Sequence, residues 1–147
     1  MKRYYKLSAV HILTAIVCFV ILSLNTSACQ AANWEWVIST DEVTIEIDTT
    51  SVQKVNYTLA GPNIVCWFKY TNLDKSYSLH HEAFRVKNQN PESTIFETYT
   101  YNSDGRNTDY AGHPEPYNFE YKSIIPGSLG EYLFYKAAVY AKMINEQ

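Results

Sequence analysis

Near the C-terminal end, Leu129, Leu133, Ala137, Tyr140 and Ile144 recur at helical spacing and share one stripe at about 100° per residue. Phe134 and Ala141 border that stripe, and Glu131, Tyr135 and Lys142 lie opposite. Between residue 33 and the stripe, the periodic segments alternate with a period of two. A single helix with one apolar stripe must bury it, and after a run of strands only a sheet is available. The pattern predicts an α+β fold: an antiparallel β-sheet of about five to six strands with one C-terminal α-helix packed on a face. Ser128 followed by Glu131 reads as a capping box, each side chain satisfying the other residue's backbone N–H, and starts the helix at Ser128.

The strands are legible in turn. Val43, Ile45 and Ile47 alternate with Thr44, Glu46 and Asp48, which puts the aliphatic residues on one face. Asp48-Thr49-Thr50-Ser51-Val52 carries short oxygen-bearing side chains that bond nearby backbone N–H groups, so it reads as a turn or a single helical turn. Past the turn residues Ala60-Gly61-Pro62-Asn63, Ile64 to Tyr70 is apolar or aromatic on both faces and reads as a central strand. Leu79 to Lys87 and Ile95 to Tyr101 alternate again, joined by a hairpin at Asn88 to Pro91. The second of these sets Phe96, Thr98 and Thr100 against Ile95, Glu97, Tyr99 and Tyr101. Asp104-Gly105 predicts a tight turn with both central residues at positive φ, after which Asn107 to Ala111 pairs back as a short edge strand. Pro114 and Pro116 withhold ladder donors, so Gly112 to Phe119 reads as a loop.

The first 32 residues read as a secretory leader: Lys2, Arg3 and Lys6, an apolar run from Leu7 to Leu24, then the small residues around Ala28, Ala31 and Ala32. Cleavage is expected after Ala31 or Ala32, with an uncleaved anchor as the alternative. Cys29 is a candidate lipidation residue, although Thr26 stands where a lipobox normally has Leu. Residues 33–147 then form a single small domain, and the leader's three cations leave with it, moving the formal charge from −3 to −6. Lys and Arg clusters are missing, which argues against a nucleic-acid or polyanion partner, and none is expected. Membrane contact is expected only through the leader or a lipid on Cys29. Cys66 is the one thiol certain to be in the mature part and reads as a buried small hydrophobe between Val65 and Trp67.

Catalytic and metal chemistry finds little support. His80 and His81 are adjacent in a strand and point to opposite faces, and His113 lies in a distant loop, so no metal is expected. Asn102 to Asp109 lacks the ligand order of a calcium loop. No Gly-x-Ser-x-Gly elbow or phosphate cradle occurs, and no cofactor or catalytic residue is expected.

The order Trp36-Val37, Ile47-Asp48-Thr49-Thr50-Ser51-Val52, Val65-Cys66-Trp67-Phe68-Lys69-Tyr70, Tyr101-Asn102-Ser103-Asp104-Gly105 and Ile124-Ile125-Pro126-Gly127-Ser128-Leu129-Gly130-Glu131 resembles the small exported domains of the bacterial surface-adhesin protein E type. The resemblance covers nearly all of residues 33–147. It implies an antiparallel sheet with a C-terminal helix on one face, and adhesin members that bind host extracellular-matrix and plasma proteins. Relatives commonly carry a strand cysteine and a helix cysteine that fasten the helix; here Asn88 and Ala138 stand at about those places, and Tyr121 stands where the family often has Trp.

The expectation is a non-enzymatic envelope or surface protein, located in the periplasm, outer membrane or cell surface, that binds a host or envelope protein. Eleven of the thirteen tyrosines follow the leader, and Tyr99, Tyr101, Tyr110 and Tyr117 are the expected contact residues. The alternative is a structural or assembly domain that self-associates, as a homodimer for instance, through its sheet edge.

Overall fold

The computed structural model describes residues 31–57, 61–87, 89–112 and 120–144. Residues 1–30 of the expected leader with Cys29, the position of Asn88, and residues 113–119 with His113, Pro114, Pro116 and Tyr117 lie outside them. All described elements belong to the unit Ala32–Gln147. In chain order these are β1 (Trp34–Ser39), β2 (Val43–Asp48), β3 (Gln53–Tyr57), β4 (Gly61–Asn72), β5 (Tyr77–Lys87), β6 (Asn90–Tyr101), β7 (Asn107–Gly112), β8 (Lys122–Ser123) and α1 (Leu129–Tyr140). Among the described residues no helix is long and apolar enough to cross a membrane.

Among the described residues the sheet is antiparallel throughout and has eight strands, not five to six. The difference has a local cause. Three long strands, β4, β5 and β6, form the centre, and each outer flank is laid down in two pieces: β2 and β3 along β4, β7 and β8 along β6. Between β2 and β3 the chain leaves the ladder at Asp48. Its Oδ1 accepts hydrogen bonds from the Thr50 N–H at 3.0 Å, the Thr50 hydroxyl at 2.7 Å and the Asn33 N–H at 3.0 Å. The Ser51 hydroxyl donates to the Asp48 carbonyl and accepts from the Trp67 N–H at 2.9 Å, so a side chain serves a β4 donor where the backbone has turned away.

Two hairpins share one solution. In the β6–β7 turn the Gly105 N–H reaches the Asn102 carbonyl and only Gly105 has positive φ, at 77°, so this is a type I turn followed by a left-handed residue, not the doubly positive turn that Asp-Gly predicts. The Asn102 side-chain oxygen explains the choice, since it accepts from both the Asp104 and Arg106 N–H groups and holds the tighter Asn-led turn. The β4–β5 turn repeats the backbone bonding from Asn72, with Lys75 in the left-handed place at φ 69°, while the side-chain acceptor there is Asp74, which takes the Ser76 N–H.

One face of the sheet carries Val37, Ile45, Ile47, Ile64, Cys66, Phe68 and Phe84, and α1 lies on it through Leu133, Ala137 and Ala138. The core is therefore centred on Ala137 and Ala138, and the ends of the expected stripe stay out: Leu129 is 37% and Ile144 40% exposed. Two small residues let the helix approach the sheet closely, and the helix ends before Ile144. Its C-terminus closes with Lys142 at φ 55°, the Lys142 N–H on the Val139 carbonyl and the Met143 N–H on the Ala138 carbonyl, a Schellman arrangement without glycine. The start also differs from the expected capping box. Ser128 is the N-cap but its hydroxyl makes no cap bond, and the Glu131 carboxylate accepts from the Gly127 N–H at 2.7 Å. Pro126-Gly127 forms a type II turn, with the Ser128 N–H on the Ile125 carbonyl and Gly127 at φ 75°, which presents the Gly127 N–H to Glu131.

Candidate functional site

With one helix among the described residues and two sheet faces, side-chain parity decides what the second face holds. On β4, Ile64, Cys66, Phe68 and Tyr70 belong to the helix side, which leaves Val65, Trp67 and Lys69 on the other. Register extends that row across the sheet: Trp67 opposes His81, which opposes Glu97; Lys69 opposes Leu79, which opposes Tyr99; Tyr77 opposes Tyr101; Tyr99 opposes Tyr110. On the other side Lys69 opposes Glu46, and Trp34 opposes Asp48. An aromatic tract thus crosses the sheet opposite α1.

Its rings are ordered by cross-strand pairs. Trp67 stacks on His81 with centroids 4.6 Å apart and planes 8° from parallel, and Tyr77 stacks on Tyr101 at 4.6 Å and 10°. Tyr99 is tilted against both Trp67, at 5.9 Å, and Tyr110, at 4.7 Å. A register shift next to His81 makes Glu82 oppose Ile95 while His81 opposes Glu97, so Phe96 is the extra residue of a bulge. Its ring meets His81 edge-on at 5.4 Å, which brings Phe96 to the open face instead of the Thr98 side that simple alternation gives.

Polar groups fix the tract. The Tyr99 hydroxyl donates to Glu97 at 3.1 Å, which raises the hydroxyl above its ordinary titration range, and His81 Nδ1 lies 3.1 Å from the same carboxylate. The Lys69 ammonium pairs with Glu46 at 3.3 Å and lies 6.0 Å from the Trp34 ring and 5.4 Å from the Tyr77 ring. Two hollows open on this face. One, of about 180 Å³, is lined by Trp34, Asp48, Trp67, Leu79, Tyr99 and Tyr101; the other, of about 400 Å³, by Ser51, Gln53, Val55, Val65, Trp67, His81 and Phe96.

Of the tyrosines expected at a contact, Tyr99, Tyr101 and Tyr110 come together here, Tyr110 on β7 and half exposed; Tyr117 lies outside the described residues, as does Cys29. Sequence reasoning missed Trp34, Trp67, Tyr77, Leu79 and His81. The signal was present in the alternation of Cys66 and Phe68 with Trp67 and Lys69, because a helix packed on one face covers only one parity.

A second polar group lies on the helix side. The Tyr70 hydroxyl donates to the buried Glu82 carboxylate at 2.7 Å, the Tyr70 ring stacks on His80 at 4.3 Å, and His80 Nε2 meets the Ser78 hydroxyl at 2.9 Å. Burial, then the Glu82 charge, pushes the Tyr70 hydroxyl far above its ordinary range. Burial likewise raises the free Cys66 thiol, with Glu82 and Asp48 adding to it, so the sulfur is held protonated. Among the described residues no group of three or more His, Cys, Asp or Glu side chains converges as for a metal ion. No protein-family model matches the chain, and no curated protein or solved structure matches it either.

Proposed function

We propose that this is an exported envelope or surface protein that binds a protein partner, without turnover, through the aromatic face of its sheet. The observation that carries the reading is the tract itself: Trp34, Trp67, Tyr77, Tyr99, Tyr101 and Tyr110 line one face with no helix of the described chain over it. Tyr and Trp bury much area at low rotamer cost and dominate binding hot spots. Glu46, Asp48 and Glu97 on the same face favour a basic partner, with association rates that fall as salt rises. The resemblance to surface-adhesin protein E domains points to host matrix or plasma proteins as the first candidates.

The test is a binding titration of immobilised matrix and plasma proteins with the native protein and with a Tyr99→Ala, Tyr101→Ala, Tyr110→Ala variant whose folding is checked by circular dichroism. Affinity should fall by at least about 1 kcal/mol in total. Unchanged affinity in the folded variant removes the site. N-terminal sequencing of exported material tests the leader: a start at Asn33 or Ala32 agrees with export and cleavage, and a lipid on an N-terminal Cys29 would replace it by membrane anchoring.

A second reading is self-association through a sheet edge. It draws on β7, a terminal strand exposed along its whole length from Asn107 to Gly112. Molar mass as a function of concentration distinguishes it, because an edge-paired dimer persists in a Tyr99→Ala, Tyr101→Ala variant, which leaves β7 intact.

A further inference from the structure

We propose that the hollow between Trp34 and Trp67 binds a quaternary ammonium group, the trimethylammonium of choline or of a phosphocholine headgroup. It extends the partner-binding reading by assigning one subsite of the open face a ligand chemistry, and it rests on that reading only in using the same face.

The lining is Trp34 from β1, Asp48 from the end of β2, Trp67 from β4, Leu79 from β5, and Tyr99 and Tyr101 from β6. Five strands supply it, so the sheet register and not a loop sets its shape. Four electron-rich rings and one carboxylate line the same hollow, a set that attracts an organic cation, since each ring face carries negative quadrupole charge. Asp48 strengthens the case. It is only 8% exposed, and Oδ1 already accepts three hydrogen bonds while no donor among the described residues is bonded to Oδ2. A carboxylate held at the lining of such a hollow gains from a cation that needs no further hydration.

Chemistry selects among cations. A primary ammonium brings three N–H donors that rings and Leu79 satisfy poorly, whereas trimethylammonium brings none. The face already accommodates one cation next door, since Lys69 lies near the Trp34 and Tyr77 rings with its charge balanced by Glu46. Trp67 and Tyr101 are each stacked on a neighbour, so two walls are preorganised.

The test is a tryptophan-fluorescence titration of the purified protein with choline and with its uncharged isostere, in which a carbon atom replaces the nitrogen. Choline should saturate, and the isostere should bind at least about tenfold more weakly. Asp48→Asn keeps the Oδ1 acceptor of the turn while removing the charge; it and Trp34→Leu should each weaken choline binding at least about fivefold, and Trp36→Leu, whose indole is outside the lining, should not. Equal binding of choline and isostere, no saturation by choline, or full affinity in Asp48→Asn overturns the proposal. So does a lysine peptide that competes as well as choline, because it would assign the site to a primary ammonium. Sedimentation with phosphatidylcholine vesicles but not phosphatidylglycerol vesicles would identify the headgroup as the source, and choline binding without vesicle binding a free ligand; either outcome supports the site. A face that binds its protein partner normally while choline fails leaves the partner reading intact and removes only this one.

Discussion

Leu129 and Leu133 hold equivalent places on the helical stripe, but the sheet treats them differently. Leu133 is 4% exposed and belongs to the core cluster with Phe68 and Phe84, whereas Leu129 is 37% exposed at the first helical position. Leu133→Ala should cost about 3 to 4 kcal/mol, in the upper part of the roughly 2 to 5 kcal/mol range for such changes. The helix cannot settle inward to close the gap, because Ala137 and Ala138 already place it close to the sheet. Leu129→Ala should cost about 1 kcal/mol or less, since much of its side chain is in water already. Against a total of roughly 6 to 17 kcal/mol for a domain of about 115 residues, the first change is severe and the second mild. Urea unfolding followed by both tryptophan fluorescence and far-ultraviolet circular dichroism measures the two, with the slope against urea expected unchanged. Similar small losses for both variants, or an unshifted midpoint after truncation before Ser128, would mean that α1 does not complete the core.

The two Asn-led hairpins make a matched pair: Lys75→Gly should stabilise by about 0.5 to 1 kcal/mol and Gly105→Ala should destabilise by about 1 kcal/mol, both read from thermal or urea midpoints, because each residue sits at positive φ. At the helix start, Ser128→Ala should change stability by less than about 0.5 kcal/mol while Glu131→Ala costs about 0.5 to 1 kcal/mol, since the carboxylate and not the hydroxyl makes the bond. Tyr70 binds its proton more tightly in the folded than in the unfolded chain, so its contribution is complete below the unfolded value of about 10 and is lost as pH rises above it, by up to about 1.4 kcal/mol per pH unit. Tyr70→Phe should flatten that alkaline decline relative to the native protein in urea titrations at stepped pH, and should cost about 1 to 3 kcal/mol at neutral pH by leaving Glu82 without its donor.

Strand alternation and the final helix were legible because each is a local pattern: Val43 to Asp48 needs no partner to declare its period. The strand count was not, because the flank breaks depend on what lies beside them. Ser51 ends one ladder and serves another only because Trp67 runs past it. The bulge at Phe96 is invisible for the same reason, since an extra residue has meaning only against the spacing of β5. Turn chemistry misled where a stronger side chain was present. Asp104-Gly105 favours one turn in isolation, and Asn102 imposes another through its own acceptor. For the site, tyrosines on β6 were found from composition and parity, whereas Trp34 and Trp67 join them only through a register that spans β1, β2, β4, β5 and β6.

An open aromatic face is ordinarily a hazard, because exposed apolar area invites aggregation. This sheet limits that cost by pairing. Trp67 with His81 and Tyr77 with Tyr101 cover one ring face each and hold the rings in place, and Glu46, Lys69 and Glu97 interleave charge among them. The same pairing lowers the entropy still to be lost on binding, since side chains already stacked have little rotamer freedom left. A chain that needed only a stable sheet could fill these positions with Thr and Lys at smaller risk. Six large aromatic residues stand together on the parity opposite α1, and a buried carboxylate lines the same hollow as four of them, which is the arrangement that the proposed binding role requires.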